Sequence, residues 1–196
     1  ICHVLGIPNH LDQIKAICKK YRLVLIEDCC EALGSQYNHI KVGNFGLLST
    51  FSFYFGHHMS TIEGGMICTN SKKLSNIIRS LRSHGWNRDL DEGFKLKLRR
   101  QYHIDPFADQ YTFYHPGFNF RGTDLGAFLG LRQLKKINSS IRRRHQLWHT
   151  YLQLTAKRDW QPQPPIAAYI SGFTYPLLSH QRSALADKLA QAGIET

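Results

Sequence analysis

The feature that most constrains the fold is Arg22-Leu23-Val24-Leu25-Ile26-Glu27, a nearly unbroken apolar run. Such a run suits a parallel strand covered on both faces. Just before it, Leu11, Ile14, Ile17, Cys18 and Tyr21 recur at helical spacing, with Pro8 and Asn9 placed to start the helix. Helix then strand, repeated, argues an α/β fold. Asp28 falls at the carboxyl end of the strand, the edge where open α/β sheets bind ligands.

The pattern continues beyond that unit. Val42-Gly43-Asn44-Phe45-Gly46 reads as a turn and Leu48-Ser49-Thr50-Phe51-Ser52-Phe53 as a second strand. Gly64-Gly65 turns the chain into a short strand, Met66-Ile67-Cys68-Thr69. Asn70 or Ser71 can cap a helix with Leu74, Ile77, Ile78 and Leu81 inward. From about Ser83 to Phe120 no durable periodicity is visible, and a connection that long is usually functional, an interface or disordered. Its Trp86, Tyr102, Phe107, Tyr111, Phe113, Tyr114 and Phe118 argue against disorder. Thr123 can cap the next helix, Ser139 or Ser140 starts another toward Thr155, and Gln161-Pro162-Gln163-Pro164-Pro165 reads as a linker or extended edge. Gly172-Phe173-Thr174-Tyr175-Pro176 is expected as a strand, and Ser179 to Gln191 as a helix stopped by Gly193.

Composition narrows the class. The chain has 196 residues, 42% of them hydrophobic and 20% charged, which is enough to bury a core. No apolar run approaches the ~20 residues of a membrane span, and no basic-then-apolar leader opens the chain, so a cytoplasmic protein is expected. Five cysteines are an odd number without zinc-like or cluster-like spacing, which points to reduced thiols and no metal. The formal net charge is +11, concentrated in Lys95–Arg100 and Arg142–His145. Such clusters serve as a solvated face, as an attractor for phosphate or a nucleotide sugar, or, less in keeping with the rest, as a nucleic-acid surface.

The chemistry concentrates in Phe51-Ser52-Phe53-Tyr54-Phe55-Gly56-His57-His58-Met59-Ser60-Thr61-Ile62-Glu63-Gly64-Gly65. Two histidines after a strand are often only a polar turn, and adjacent side chains on one strand point opposite ways, which disfavours a shared metal. Two further segments accompany it: Glu27-Asp28-Cys29-Cys30-Glu31-Ala32-Leu33-Gly34 and Gly117-Phe118-Asn119-Phe120-Arg121 ahead of a helix ending in Gln133-Leu134. In this order and spacing they resemble the sugar-aminotransferase (DegT/DnrJ/EryC1/StrS) family of pyridoxal-phosphate enzymes. Arg82-Ser83-His84-Gly85 resembles a fourth family segment.

The resemblance implies an aspartate-aminotransferase-like fold of type I, with a mostly parallel sheet in a large cofactor domain. Residues 1–138 are expected to be part of that domain, and 139–196 a connecting helix with the start of a small α/β domain. The chain is expected to be a fragment lacking the family's N-terminal part. By the same match Asp28 pairs with the pyridine nitrogen, Glu31 stands where a glutamine lies against the ring, and Ser52 binds the cofactor phosphate. Asn119 reaches the cofactor phosphate of the neighbouring subunit in a homodimer, and the aromatic, basic segment from Ser83 to Phe120 lies near the active-site mouth or the dimer seam. His57 occupies the position of the lysine that holds the cofactor as a Schiff base. Imidazole is not a primary amine, but with an unperturbed pKa near 6.5 it moves protons well. The exchange resembles the dehydratase branch of the family, which uses pyridoxamine 5'-phosphate, regenerated from pyridoxal 5'-phosphate with glutamate. Its substrates are nucleotide-linked 4-keto-6-deoxyhexoses, made into deoxysugars for surface polysaccharides. The alternatives are an aminotransferase of the same family and a non-catalytic or regulatory remnant.

Overall fold

A computed structural model describes residues 1–156 and 162–196. Its first unit is a 3-10 turn, Val4–Gly6, followed by helix α1, Leu11–Tyr21, and strand β1, Ile26–Asp28. Strands β2, Gln36–Tyr37, and β3, Ile40–Lys41, form a hairpin before β4, Leu48–Ser52, and β5, Gly65–Cys68. Helices α2, Lys72–Leu81, α3, Glu92–Tyr102, α4, Pro106–Asp109, α5, Asp124–Leu134, and α6, Ile137–Leu154, follow. A short β6, Ala168–Tyr169, and helix α7, Arg182–Gln191, complete the order.

One sheet runs β1-β4-β5 and the other β3-β2-β6. In the first, β1 and β4 are parallel and β4 and β5 antiparallel. Residues 1–3 extend this sheet at its β1 edge: Cys2 bridges Asp28 in parallel, and the His3 N–H donates to the Asp28 carbonyl at 2.9 Å. In the second sheet β6 ties the later part of the chain to β2. Leu11, Cys29, Ala32, Tyr37 and Val42 are buried together, with Phe45 and Phe51 packed against them. The Tyr37 hydroxyl donates to Asp12 at 2.8 Å, fastening the hairpin to α1. Among the described residues no helix is long and apolar enough to cross a membrane.

The predicted strand from Arg22 is shorter than expected. Arg22 ends α1 in the left-handed region at φ 54°, and the ladder with β4 begins only at Ile26. Nor is it covered on both faces: Leu23, Val24 and Ile26 are exposed. Helix α2 has the predicted Ser71 cap, accepting from the Leu74 N–H. Its fully buried positions, however, are the polar Asn76 and Ser80, because Asn76 bonds to Asp91 and the Lys72 carbonyl. The stretch from Ser83 to Phe120 contains α3 and α4; α3 is strongly charged, with a single buried residue, Leu98, so its apolar periodicity is faint. Gly172–Pro176 is not a strand, since its groups are taken singly by Leu5 and Arg144. Gln161, the first residue of the expected linker, lies outside the described residues. Thr123 caps α5 as read, accepting from the Gly126 N–H. The final helix stops before Gly193, at φ +74°.

Candidate active site

Because β1 and β4 are parallel, their carboxyl ends share one edge of the sheet. Asp28 ends β1 opposite Thr50, and Ser52 ends β4 two residues further on. The Asp28 carboxylate accepts from the Cys30 N–H at 3.0 Å. Burial pushes its pKa up, but hydrogen bonds from Cys30 and Thr50 outweigh that and leave it below the ordinary range. Asp28 is therefore a carboxylate at neutral pH. The Cys30 thiol is pushed up to about 11 by burial and by Asp28, so it stays protonated. Ser52 Oγ accepts from the Tyr54 N–H at 3.2 Å, which leaves its own proton to donate.

Beyond Ser52 the chain makes a closed loop. The Phe53 N–H donates to the Gly64 carbonyl and its carbonyl accepts from Thr61, both at 2.8 Å. Gln133 of α5 pins the same loop, accepting from the Ser60 N–H and donating to its carbonyl. His57 and His58 lie in this loop rather than on a strand. The His57 ring is half-buried, 5.2 Å from the ring of Phe173 and 6.4 Å from that of Tyr54. Its Nδ1 is buried and, among the described residues, has no hydrogen-bond partner. His58 points into the protein, 8% exposed, and its Nε2 donates to the Ser171 carbonyl at 2.9 Å. Burial lowers its pKa to about 4, against the raising effect of that hydrogen bond, so it is neutral. In both imidazoles Nδ1 is buried without a hydrogen-bond partner among the described residues; they differ in that His58 is tied to Ser171 through Nε2 and His57 is not.

Glu31 has a partner within the chain. Its Oε2 accepts from the Leu5 N–H at 2.5 Å, and the Leu5 carbonyl accepts from the Phe173 N–H at 3.0 Å. Glu31, Leu5, Phe173 and His57 therefore form one continuous path. Asn119 stands apart from this group. It is exposed, bridges Ser83 just ahead of α5, and accepts from Arg121 Nε at 3.5 Å. Phe107, Tyr111, Phe113, Phe118 and Phe120 of this segment are exposed, and the rings of Phe118 and Phe120, on either side of Asn119, stack at 5.0 Å. Arg144 is not part of a solvated basic face: it donates to the carbonyls of Gly172 and Phe173 at 2.9 and 3.3 Å.

Two contributors escaped the sequence reading. Glu27, fully buried next to Asp28, accepts from the backbone N–H groups of Gly43, Phe45 and Gly46 at 2.7–2.8 Å and from His3 at 3.2 Å. A carboxylate closing an apolar run was the available signal. Phe173 had no signal, since only the fold brings it to His57. His3, Glu27 and Cys29 place donor atoms within 4.8 Å of one another. Those donors are already committed: Glu27 to four N–H groups, and His3 Nδ1 to the Asn9 N–H at 3.2 Å. Burial raises the Cys29 thiol far above its ordinary pKa. His3 and Glu27 form a hydrogen-bonded brace, with the protonated Cys29 thiol beside it.

A GDP-4-keto-6-deoxy-D-mannose 3-dehydratase of Yersinia pseudotuberculosis is 34% identical over 98% of this chain and 50% of its own length. A crystal structure of GDP-4-keto-6-deoxymannose-3-dehydratase with bound GDP-perosamine superposes with a TM-score of 0.87 at 31% identity, covering 99% of this chain and 51% of that one. Another structure of that enzyme, with a trapped PLP-glutamate geminal diamine, has a TM-score of 0.80 at 29% identity, covering 99% and 51%. The chain spans about half the length of these relatives. Over that span the fold is that of the pyridoxal-phosphate aminotransferases. The model of the DegT/DnrJ/EryC1/StrS aminotransferase family matches residues 1–196, and the chain belongs to that family.

Proposed function

We propose that this chain is the catalytic part of a pyridoxamine-phosphate-dependent 3-dehydratase acting on a nucleotide-linked 4-keto-6-deoxyhexose. One observation carries the reading: His57, which the resemblance puts at the family's lysine position, has a buried Nδ1 that is unpartnered among the described residues. A histidine there removes the covalent tether and leaves a proton carrier. The cofactor fits the residues present. Asp28, held as a carboxylate, would face the pyridine nitrogen, Ser52 would donate to the phosphate, and Asn119, exposed ahead of α5, would reach a second subunit's phosphate in a homodimer. Glu31 stands where a ring-facing residue is expected and also anchors Leu5.

When bound, pyridoxamine phosphate supplies the amine that condenses with the keto carbon and a ring that accepts electrons. The residues then divide the work. Asp28, held as a carboxylate, would favour a protonated ring nitrogen by its negative charge. The imidazole of His57 would accept a proton at its unprotonated nitrogen. The imidazolium would then return that proton to the sugar's 3-hydroxyl, so that it could leave as water. Glutamate is the amine donor that restores the cofactor, and the relative trapped with a PLP-glutamate adduct supports that assignment. The product is a deoxysugar of the kind used in surface polysaccharides, and the enzyme would work in the cytoplasm.

The test is full-length protein with cofactor, glutamate and GDP-4-keto-6-deoxymannose, read by mass spectrometry. Loss of water from the sugar supports dehydration, whereas gain of an amine supports an aminotransferase. A general base is worth about 10²–10⁴-fold. His57→Asn should lose that factor at unchanged cofactor affinity, and full activity would refute the role.

A further inference from the structure

The ring of Phe173 faces the one imidazole to which a proton-transfer role falls, and its backbone is fixed at an unusual number of points for an irregular segment. Its N–H donates to Leu5, its carbonyl accepts from Arg144, the preceding Gly172 carbonyl accepts from the same guanidinium, and Ser171 is held by both His58 and Ser35. Gly172 leaves no spare room: a methyl added there would lie 3.0 Å from the Trp148 ring. The side chain so fixed stands 5.2 Å from His57 at an interplanar angle of 37°, and 6.3 Å from His58. Among the described residues no hydrogen bond orients the His57 imidazole, since its Nδ1 is without a partner. Ring contacts with Phe173 and Tyr54 are what remain to set its rotation.

We infer that Phe173 is a positioning residue for His57: its clamped ring, in place of a hydrogen-bonded orienting group, holds the imidazole in the attitude needed for proton transfer. This rests on the dehydratase reading given above. A ring orients its neighbour through shape and quadrupole without adding a charge or a hydrogen bond. Such an orienting contact leaves Nδ1 without a hydrogen-bond partner, as it is among the described residues. A carboxylate partner in this place would raise basicity but would also bind one nitrogen. Misplacing a catalytic group by about 1 Å costs on the order of 10²-fold in rate. The loss on removing the ring is bounded above by what the base itself contributes.

The experiment uses the full-length enzyme with Phe173→Leu, Phe173→Met and Phe173→Tyr, beside His57→Asn. The leucine and methionine variants keep apolar volume and remove the ring, and either one suffices if the other fails to fold. Expected is a fall in kcat of roughly 10- to 100-fold without a matching rise in KM, with recovery in Phe173→Tyr. Addition of either ring-less change to His57→Asn should cause no further loss. A second readout needs no turnover: in cofactor-free protein the His57 imidazole proton resonances should lose their ring-current displacement in the leucine or methionine variant and keep it in the tyrosine variant. If His57→Asn abolishes dehydration while the ring-less variants retain wild-type kcat and the His57 resonances, the positioning role is overturned and the dehydratase reading stands. If His57→Asn retains full activity, the dehydratase reading falls, and the positioning role falls with it.

Discussion

Glu27→Gln is the most informative perturbation of the scaffold under the site. The carboxylate is fully buried and uses Oε1 for the N–H groups of Phe45 and Gly46, both at 2.7 Å, and Oε2 for Gly43 at 2.8 Å and His3 at 3.2 Å. Glutamine keeps one oxygen and presents an NH2 at the other position. At least one backbone donor then faces another donor. Asn9 fixes the tautomer of His3, because its backbone N–H points at Nδ1. Stranding one buried donor costs about 1–3 kcal/mol, and the remaining bonds lose their charge assistance, for about 2–4 kcal/mol in all. Expressed as local opening, that is roughly 30- to 1000-fold faster amide exchange. Hydrogen exchange by mass spectrometry on a peptide spanning Lys41–Leu47 measures it, with the β4–β5 ladder as an internal reference. The pH dependence has a definite sign. Burial raises the Glu27 pKa, but the hydrogen bonds from His3, Gly43, Gly46 and Phe45 prevail and hold it below normal. The protection is thus present above the unfolded pKa of about 4.3 and lost as pH falls through the folded value. Exchange of Gly43–Gly46 within threefold of wild type would refute the reasoning.

Three further outcomes follow from the same contacts. His58 is neutral in the fold, with its pKa lowered to about 4 by burial. Its contribution is complete above about pH 6.5 and declines as pH falls toward 4, by up to about 3 kcal/mol; His58→Gln should flatten that part of a urea-denaturation pH series, and an unaltered slope contradicts it. Gly85 sits at φ +83°, and an added methyl would lie 1.7 Å from the His115 carbonyl oxygen. Gly85→Ala should cost at least about 3 kcal/mol from backbone strain and overlap, and a wild-type melting curve would show the segment placed otherwise. Ser71→Ala removes the α2 cap and should cost about 1 kcal/mol, measured by urea denaturation, with no change expected if that cap is not formed.

What could be read from the sequence follows the range of the interaction. Local signals held: the helical spacing from Leu11 to Tyr21, the Ser71 and Thr123 caps, and the Leu48–Ser52 strand all depend on near neighbours. The family was legible because Asp28, His57 and Asn119 keep their order and spacing in segments with consistent local structure. Contacts distant in sequence were not. Nothing near Phe173 announces that His57 lies across from it, 116 positions earlier, because that meeting depends on Arg144, Leu5 and His58 together. The burial of Asn76 in α2 is similar: a polar side chain is held inside by its bonds to Asp91, 15 positions away, and to the Lys72 carbonyl. The exposed Leu23, Val24 and Ile26 show the converse, an apolar run that the fold leaves largely open.

The central claim is that residue 57 stands at the reacting end of a vitamin B6 cofactor. The most direct measurement is to treat full-length His57→Lys with pyridoxal phosphate, reduce with borohydride and map the peptides by mass spectrometry. The account predicts a pyridoxyl group on residue 57 and none on that residue in the wild type. A substituted protein that takes up the cofactor but carries no label at residue 57 would contradict it.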